Sequence, residues 1–129
     1  MPVYRSVHLV IQNSTPSALT VEAAEIIHGG WKSDFGLTVK GGNIPAQSAA
    51  SLTCASEQLQ IGCEGFIRLA STMGMVQLHW ALPWVGRFRM ERELNPRQFD
   101  YRLLIYEESP ASPTALVTLS PGLPPRRKG

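Results

Sequence analysis

Three histidines (His8, His28, His79), two cysteines (Cys54, Cys63) and two acidic pairs (Glu91/Glu93, Glu107/Glu108) are the side chains with which this chain could move protons, attack a carbon or hold a metal. Their spacing builds none of these. No His-Glu-x-x-His segment occurs, no paired cysteine ligands, and no two histidines at helical spacing. None of the serines lies in a Gly-x-Ser-x-Gly elbow, and a cysteine somewhere near a histidine is not specific. Gly29-Gly30 and Gly41-Gly42 are followed by neither a lysine–serine pair nor a helix start, so they read as turn glycines and not as phosphate loops. The acidic pairs read as charged strand faces and ends. The expectation is a protein without catalytic residues, metal or cofactor.

The segment with the strongest physical signature is Val76-Gln77-Leu78-His79-Trp80-Ala81-Leu82-Pro83-Trp84-Val85-Gly86. Val76, Leu78 and Trp80 alternate with Gln77 and His79, the period of a strand with one buried face. Pro83 stops the ladder, Trp84 stands beside the stop, and Gly86 frees the backbone. Such an ending puts a large amphipathic ring at a sheet end. There it packs a neighbouring loop or meets a partner, and a membrane interface is one surface that suits it.

The elements around that segment are strand-like nearly throughout. Runs at 7–12, 19–27, 37–40, 51–56, 65–69, 76–82, 88–94, 101–106 and 115–119 are separated by turn clusters such as Asn13-Ser14-Thr15-Pro16-Ser17, Thr72-Met73-Gly74 and Asn95-Pro96. Residues 18–27 are the one helical competitor, and their β-branched, alternating start favours a strand. Eight or nine short strands with turns between them predict an all-β, single-domain antiparallel sandwich over residues 1–123. Residues 124–129 read as a basic, solvated tail.

The net charge of +2 comes from that tail, because Arg126, Arg127 and Lys128 are three of the 12 basic residues. The body is close to neutral, so no nucleic-acid partner is expected. Cys54 and Cys63 are too few for a disulfide scaffold. They could face each other across a hairpin, either bonded or as two half-buried thiols. No run reaches the ~20 apolar residues of a membrane helix. No basic region followed by an apolar run opens the chain, so synthesis in the cytoplasm without a signal peptide is expected.

Four further segments occur in order: His28-Gly29-Gly30-Trp31, Ile44-Pro45-Ala46-Gln47-Ser48, Gly62-Cys63-Glu64-Gly65 and His79-Trp80-Ala81-Leu82-Pro83-Trp84-Val85-Gly86. With Val10-Ile11-Gln12-Asn13-Ser14-Thr15, and over residues 5–119, the chain resembles the aegerolysin family, small β-sandwich proteins related in shape to actinoporins. The resemblance implies non-enzymatic recognition of membrane lipids, of sphingolipid type and possible sterol company. It also implies a perforin-like protein partner, in a cytolytic or insecticidal toxin system that acts at a target membrane after non-classical release. By motif, Trp31 corresponds to the family's aromatic in a first loop region, Glu64 to the acid of its Glu-Gly turn, and Trp80 and Trp84 to its Trp-x-x-Pro-Trp segment.

The residues support a lipid-binding set on their own terms. Trp31, Trp84 and Phe88 could enter an interface. Arg87 and Arg89 could pair with phosphate, and Glu64 could accept from an amine or hydroxyl. Each also has a plainer role: Trp80 in the core, Trp31 and Trp84 in loop packing, Glu64 in a turn, the arginines as surface charge. A carbohydrate- or protein-binding module is the alternative function, and the chain is expected as a monomer or homodimer.

Overall fold

A computed structural model describes residues 3–32 and 41–122. The strands are β1 (Arg5–Asn13), β2 (Leu19–His28), β3 (Gly30–Trp31), β4 (Asn43–Ile44), β5 (Ser48–Ser56), β6 (Cys63–Ser71), β7 (Gly74–Leu82), β8 (Arg89–Leu94), β9 (Phe99–Tyr106) and β10 (Thr114–Pro121). They form two five-stranded sheets, β3-β5-β1-β10-β9 and β4-β2-β6-β7-β8, packed face to face. The protein is an all-β sandwich. Residues 18–27 are strand from Leu19 onward, so the alternating start prevails over helix formation. The two strands beyond the expected count, β3 and β4, are two residues long, too short for any alternation to show. The expected strand at 37–40 and the tail at 124–129 lie outside the described residues.

Alternation chooses the inner faces. Val7, Leu9 and Ile11 of β1, Ile67 and Leu69 of β6, Val76, Leu78 and Trp80 of β7, and Ala115, Val117 and Leu119 of β10 are fully buried. One pairing departs from the antiparallel expectation. β1 pairs antiparallel with β5 but parallel with β10, from His8 opposite Thr114 to Asn13 opposite Leu119. The last strand therefore enters the middle of its sheet by a crossover and not by a hairpin.

The turn cluster after β1 is held by a buried amide. Asn13 Nδ2 donates to the carbonyls of Ser17 (2.9 Å), Ile44 (3.0 Å) and Pro45 (3.1 Å), and its Oδ1 accepts from Thr15 N and Oγ1. One side chain thus ties the β1–β2 turn to the segment between β4 and β5, and its burial cost is met by hydrogen bonds. The registers fix two poles. Arg5 lies opposite Ser56, His28 opposite Glu64, Cys63 opposite Leu82, and Ala81 opposite Arg89. The connections 28–30, 57–62, 83–88 and 107–113 therefore gather at the pole where β1 begins.

Candidate functional site

Trp84 sits at that pole, half-buried, in the 83–88 loop. The Arg5 guanidinium lies 4.1 Å from its ring centroid, and Arg5 Nη2 donates to the Trp84 carbonyl at 3.0 Å. The Tyr4 ring meets it edge-on at 6.1 Å. β1 thus clamps the loop, and Gly86, at φ +128°, turns the chain back in a conformation other residues resist. The clamp pushes the next residue outward: Val85 is 84% exposed. Arg87 is exposed beside it, whereas Phe88 turns inward against the core.

Glu64 is a strand residue of β6, opposite Ala81, and not part of a turn. It sits on the outward face of the sheet, where its Oε2 lies 2.8 Å from His79 Nε2. His79 Nδ1 is 4.0 Å from Glu91 Oε1, so an acid–imidazole–acid row crosses β6, β7 and β8. Alternation placed His79 on the polar face; the pairing register supplied its partners. Glu64, Trp84, His28, Ile61 and Arg89 together line a cleft of about 280 Å³.

Trp31 belongs to β3, paired with Cys54, and not to a loop. Its ring packs 5.8 Å from that of Trp80, tilted by 58°. Gly65 makes this contact possible. A Cβ there would lie 2.7 Å from Trp80 Cζ2 and 2.6 Å from the Glu25 carbonyl oxygen, so the indole crosses β6 only where no side chain exists. The outer part of Trp31 lines a second cleft of about 310 Å³ with Lys32, Glu57, Gln58 and Ile61. Ile61 is common to both clefts. Trp31, Glu64 and Trp84 are therefore brought to one pole, with Arg87 at its rim.

The sequence reading missed the pole's apolar residues. Leu59 is 64%, Ile27 51% and Ile61 36% exposed, and Val3 precedes the Tyr4 ring. Ile27 is a residue of β2 at the register shift between Ile26 and His28, where alternation fails, and Leu59 and Ile61 stand in a polar connection outside any strand. Their one signal was a pair, Leu59 and Ile61, in a segment otherwise made of glutamine and glycine.

Cys54 and Cys63 are free and buried. They meet between the two sheets, from β5 and β6, and not across one hairpin. Each donates to a backbone carbonyl, Cys54 Sγ to His28 at 3.5 Å and Cys63 Sγ to Arg5 at 3.3 Å. The neighbouring Cys63 thiol holds Cys54 below its ordinary value, and the neighbouring Cys54 thiol, reinforced by burial, pushes Cys63 up. Among the described residues, no three His, Cys, Asp or Glu side chains converge to hold a metal, and no helix is long and apolar enough to cross a membrane.

No protein-family model matches the chain, and no curated protein sequence matches it. Solved structures do. The crystal structure of the lipid-binding protein Nakanori superposes with a TM-score of 0.72 at 13% identity, covering 92% of this chain and 72% of that one. At that identity the likeness establishes the sandwich fold.

Proposed function

We propose that this chain recognises a membrane lipid, without catalysis, through the pole that carries Trp84. One observation carries the reading. Among the described residues, five of the nine exposed large hydrophobic side chains, Val3, Ile27, Leu59, Ile61 and Val85, gather around two aromatic-walled clefts at one end of the sandwich. Clustered apolar exposure rimmed by polar groups marks an interaction surface. The tips of several loops on a rigid sandwich suit a flat, half-apolar target. A structural relative whose own description is lipid-binding supports the reading.

The cleft chemistry suggests the head group. His28 and Arg89 face a phosphate, and Glu64, with Oε2 engaged by His79, offers Oε1 to an amine or hydroxyl. A sphingolipid-type head group, with sterol packing beside it, has both features. In the fuller form of the proposal, suggested by the sequence motifs, the chain works at the surface of a target membrane. There it orients a perforin-like partner of a cytolytic system.

Co-sedimentation with vesicles tests it: phosphatidylcholine alone, then with sterol, sphingomyelin, ceramide phosphoethanolamine or anionic lipid. Selective capture by one sphingolipid mixture, lost in Trp84→Ala, is the expected result. Capture by none refutes it. The cleft that combines the Trp31 ring with Lys32, Glu57 and Gln58 favours a second reading, stacking of a sugar ring, and glycan binding without vesicle binding would select that one.

A further inference from the structure

Among the described residues, four strands end the two sheets, and three are protected against pairing with another chain. β3 and β4 are two residues long. β8 displays Arg89, Glu91, Arg92 and Glu93, and charged edges resist pairing. β9 is long, and its charges, Asp100 and Arg102, are confined to its first half. It runs eight residues in unbroken register with β10, without proline, lysine or bulge. Its second half is Leu103-Leu104-Ile105-Tyr106, with Leu104 56%, Ile105 43% and Tyr106 54% exposed.

The hydrogen-bond phase of that edge is fixed. Gly122 N donates to Gln98 O, so Gln98, Asp100, Arg102, Leu104 and Tyr106 bond towards β10. Tyr101, Leu103 and Ile105 direct their N–H and C=O groups away from the sheet. We propose that β9 pairs antiparallel with β9 of a second copy of this chain, Leu104 facing Leu104 across the two-fold axis.

Self-complementarity selects the occupant and the register. With Leu104 on the axis, Leu103 bonds with Ile105 of the other copy, and Arg102 meets the Tyr106 ring. Tyr101 meets Glu107, which comes into reach of Arg92, whose guanidinium already lies 4.6 Å from the Tyr101 ring centroid. The like-charge approach of Asp100 to Glu108 is offset by Arg102, 3.5 Å from Asp100. Centring on Leu103 instead would set Arg102 against Leu104 and Asp100 against Tyr106, two mismatches. The two five-stranded sheets then become one of ten. This inference is independent of lipid binding.

Sedimentation equilibrium on the full chain tests it. The expected mass is twice the 14.2 kDa of one chain, halving in Leu104→Lys, which sets two ammonium groups face to face. Ile105→Pro, which removes an outward N–H and spares the β10 ladder, should halve it as well. In Leu104→Cys, air oxidation should join the two chains, since Cα atoms of such a non-hydrogen-bonded pair stand about 4.5 Å apart, within disulfide reach. Arg102→Cys should stay unlinked. A wild type that is monomeric at every concentration, or a dimer unmoved by both Leu104→Lys and Ile105→Pro, overturns the proposal. A dimer whose Leu104→Cys form will not cross-link overturns the register.

Discussion

The guanidinium of Arg5 covers the ring of Trp84 at 4.1 Å while donating to that residue's own carbonyl at 3.0 Å. The first strand therefore sets the position of a loop 79 residues away in sequence.

Arg5→Ala should loosen that loop and cost about 1–2 kcal/mol, one stacked cation and one hydrogen bond. Trp84 should become more accessible to acrylamide quenching. Arg5→Lys should recover only part, because an ammonium cannot stack and donate as a planar fork does. Urea midpoints together with quenching constants measure both effects. Unchanged quenching in the alanine variant would mean the clamp does not order the loop.

Gly65→Ala should be far more damaging than a surface substitution, by roughly 1–3 kcal/mol. Its methyl group must displace either the Trp80 ring or the β2 backbone. The tilted Trp31–Trp80 contact should be lost with it, visible as a change in near-ultraviolet circular dichroism. A fully native spectrum and midpoint would show that the sheet opens there at no cost.

Val85→Asp should leave the fold intact, since the side chain is 84% exposed, yet weaken vesicle capture roughly tenfold, the worth of one valine moved from water. Trp31→Ala is expected to destabilise as well as weaken capture, because its inner edge packs on Trp80. Equal capture by Val85→Asp and the wild type would remove that loop tip from the contact surface.

Stability should fall at alkaline pH. Cys63 and Tyr101 both have raised folded values, Cys63 through the neighbouring Cys54 thiol and burial, Tyr101 through burial. A raised group stabilises fully below its unfolded value, here 9.0 for the thiol and 10.0 for the phenol, and that contribution drains away as pH rises beyond it. Cys54, lowered, works in the opposite sense below 9.0. Denaturant midpoints on either side of pH 9.0 should therefore drop in the wild type and drop less in Cys63→Ala. An equal drop in both would leave the thiol out of the account.

The sandwich was legible wherever one strand face is buried: Val76-Leu78-Trp80 and Val7-Leu9-Ile11 alternate in sequence as they do in space. The turn at Asn13 was legible too, though not the three carbonyls its amide reaches. What sequence concealed is relational. Glu64 reads as a turn residue beside Gly65 until the register sets His79 next to it. Gly65 reads as the first residue of a strand run, and nothing beside it in sequence shows that its role is to let an indole pass. The two cysteines look like a hairpin pair and are an inter-sheet pair. The parallel partner of β1 leaves no local trace, because a crossover is a property of the whole chain path.

That parallel pairing makes a molecular ruler. Because β1 and β10 run the same way, Tyr4 stands at the pole of Trp84 and Gly122 at the far one, separated along the strands by on the order of 35–40 Å, about twelve residues of extended chain. Donor dyes at positions 4 and 122, read against an acceptor in the bilayer, would report whether the sandwich stands upright or lies down. Upright docking gives strong transfer from the first and weak transfer from the second. A molecule lying along its sheet face would bring the two efficiencies together.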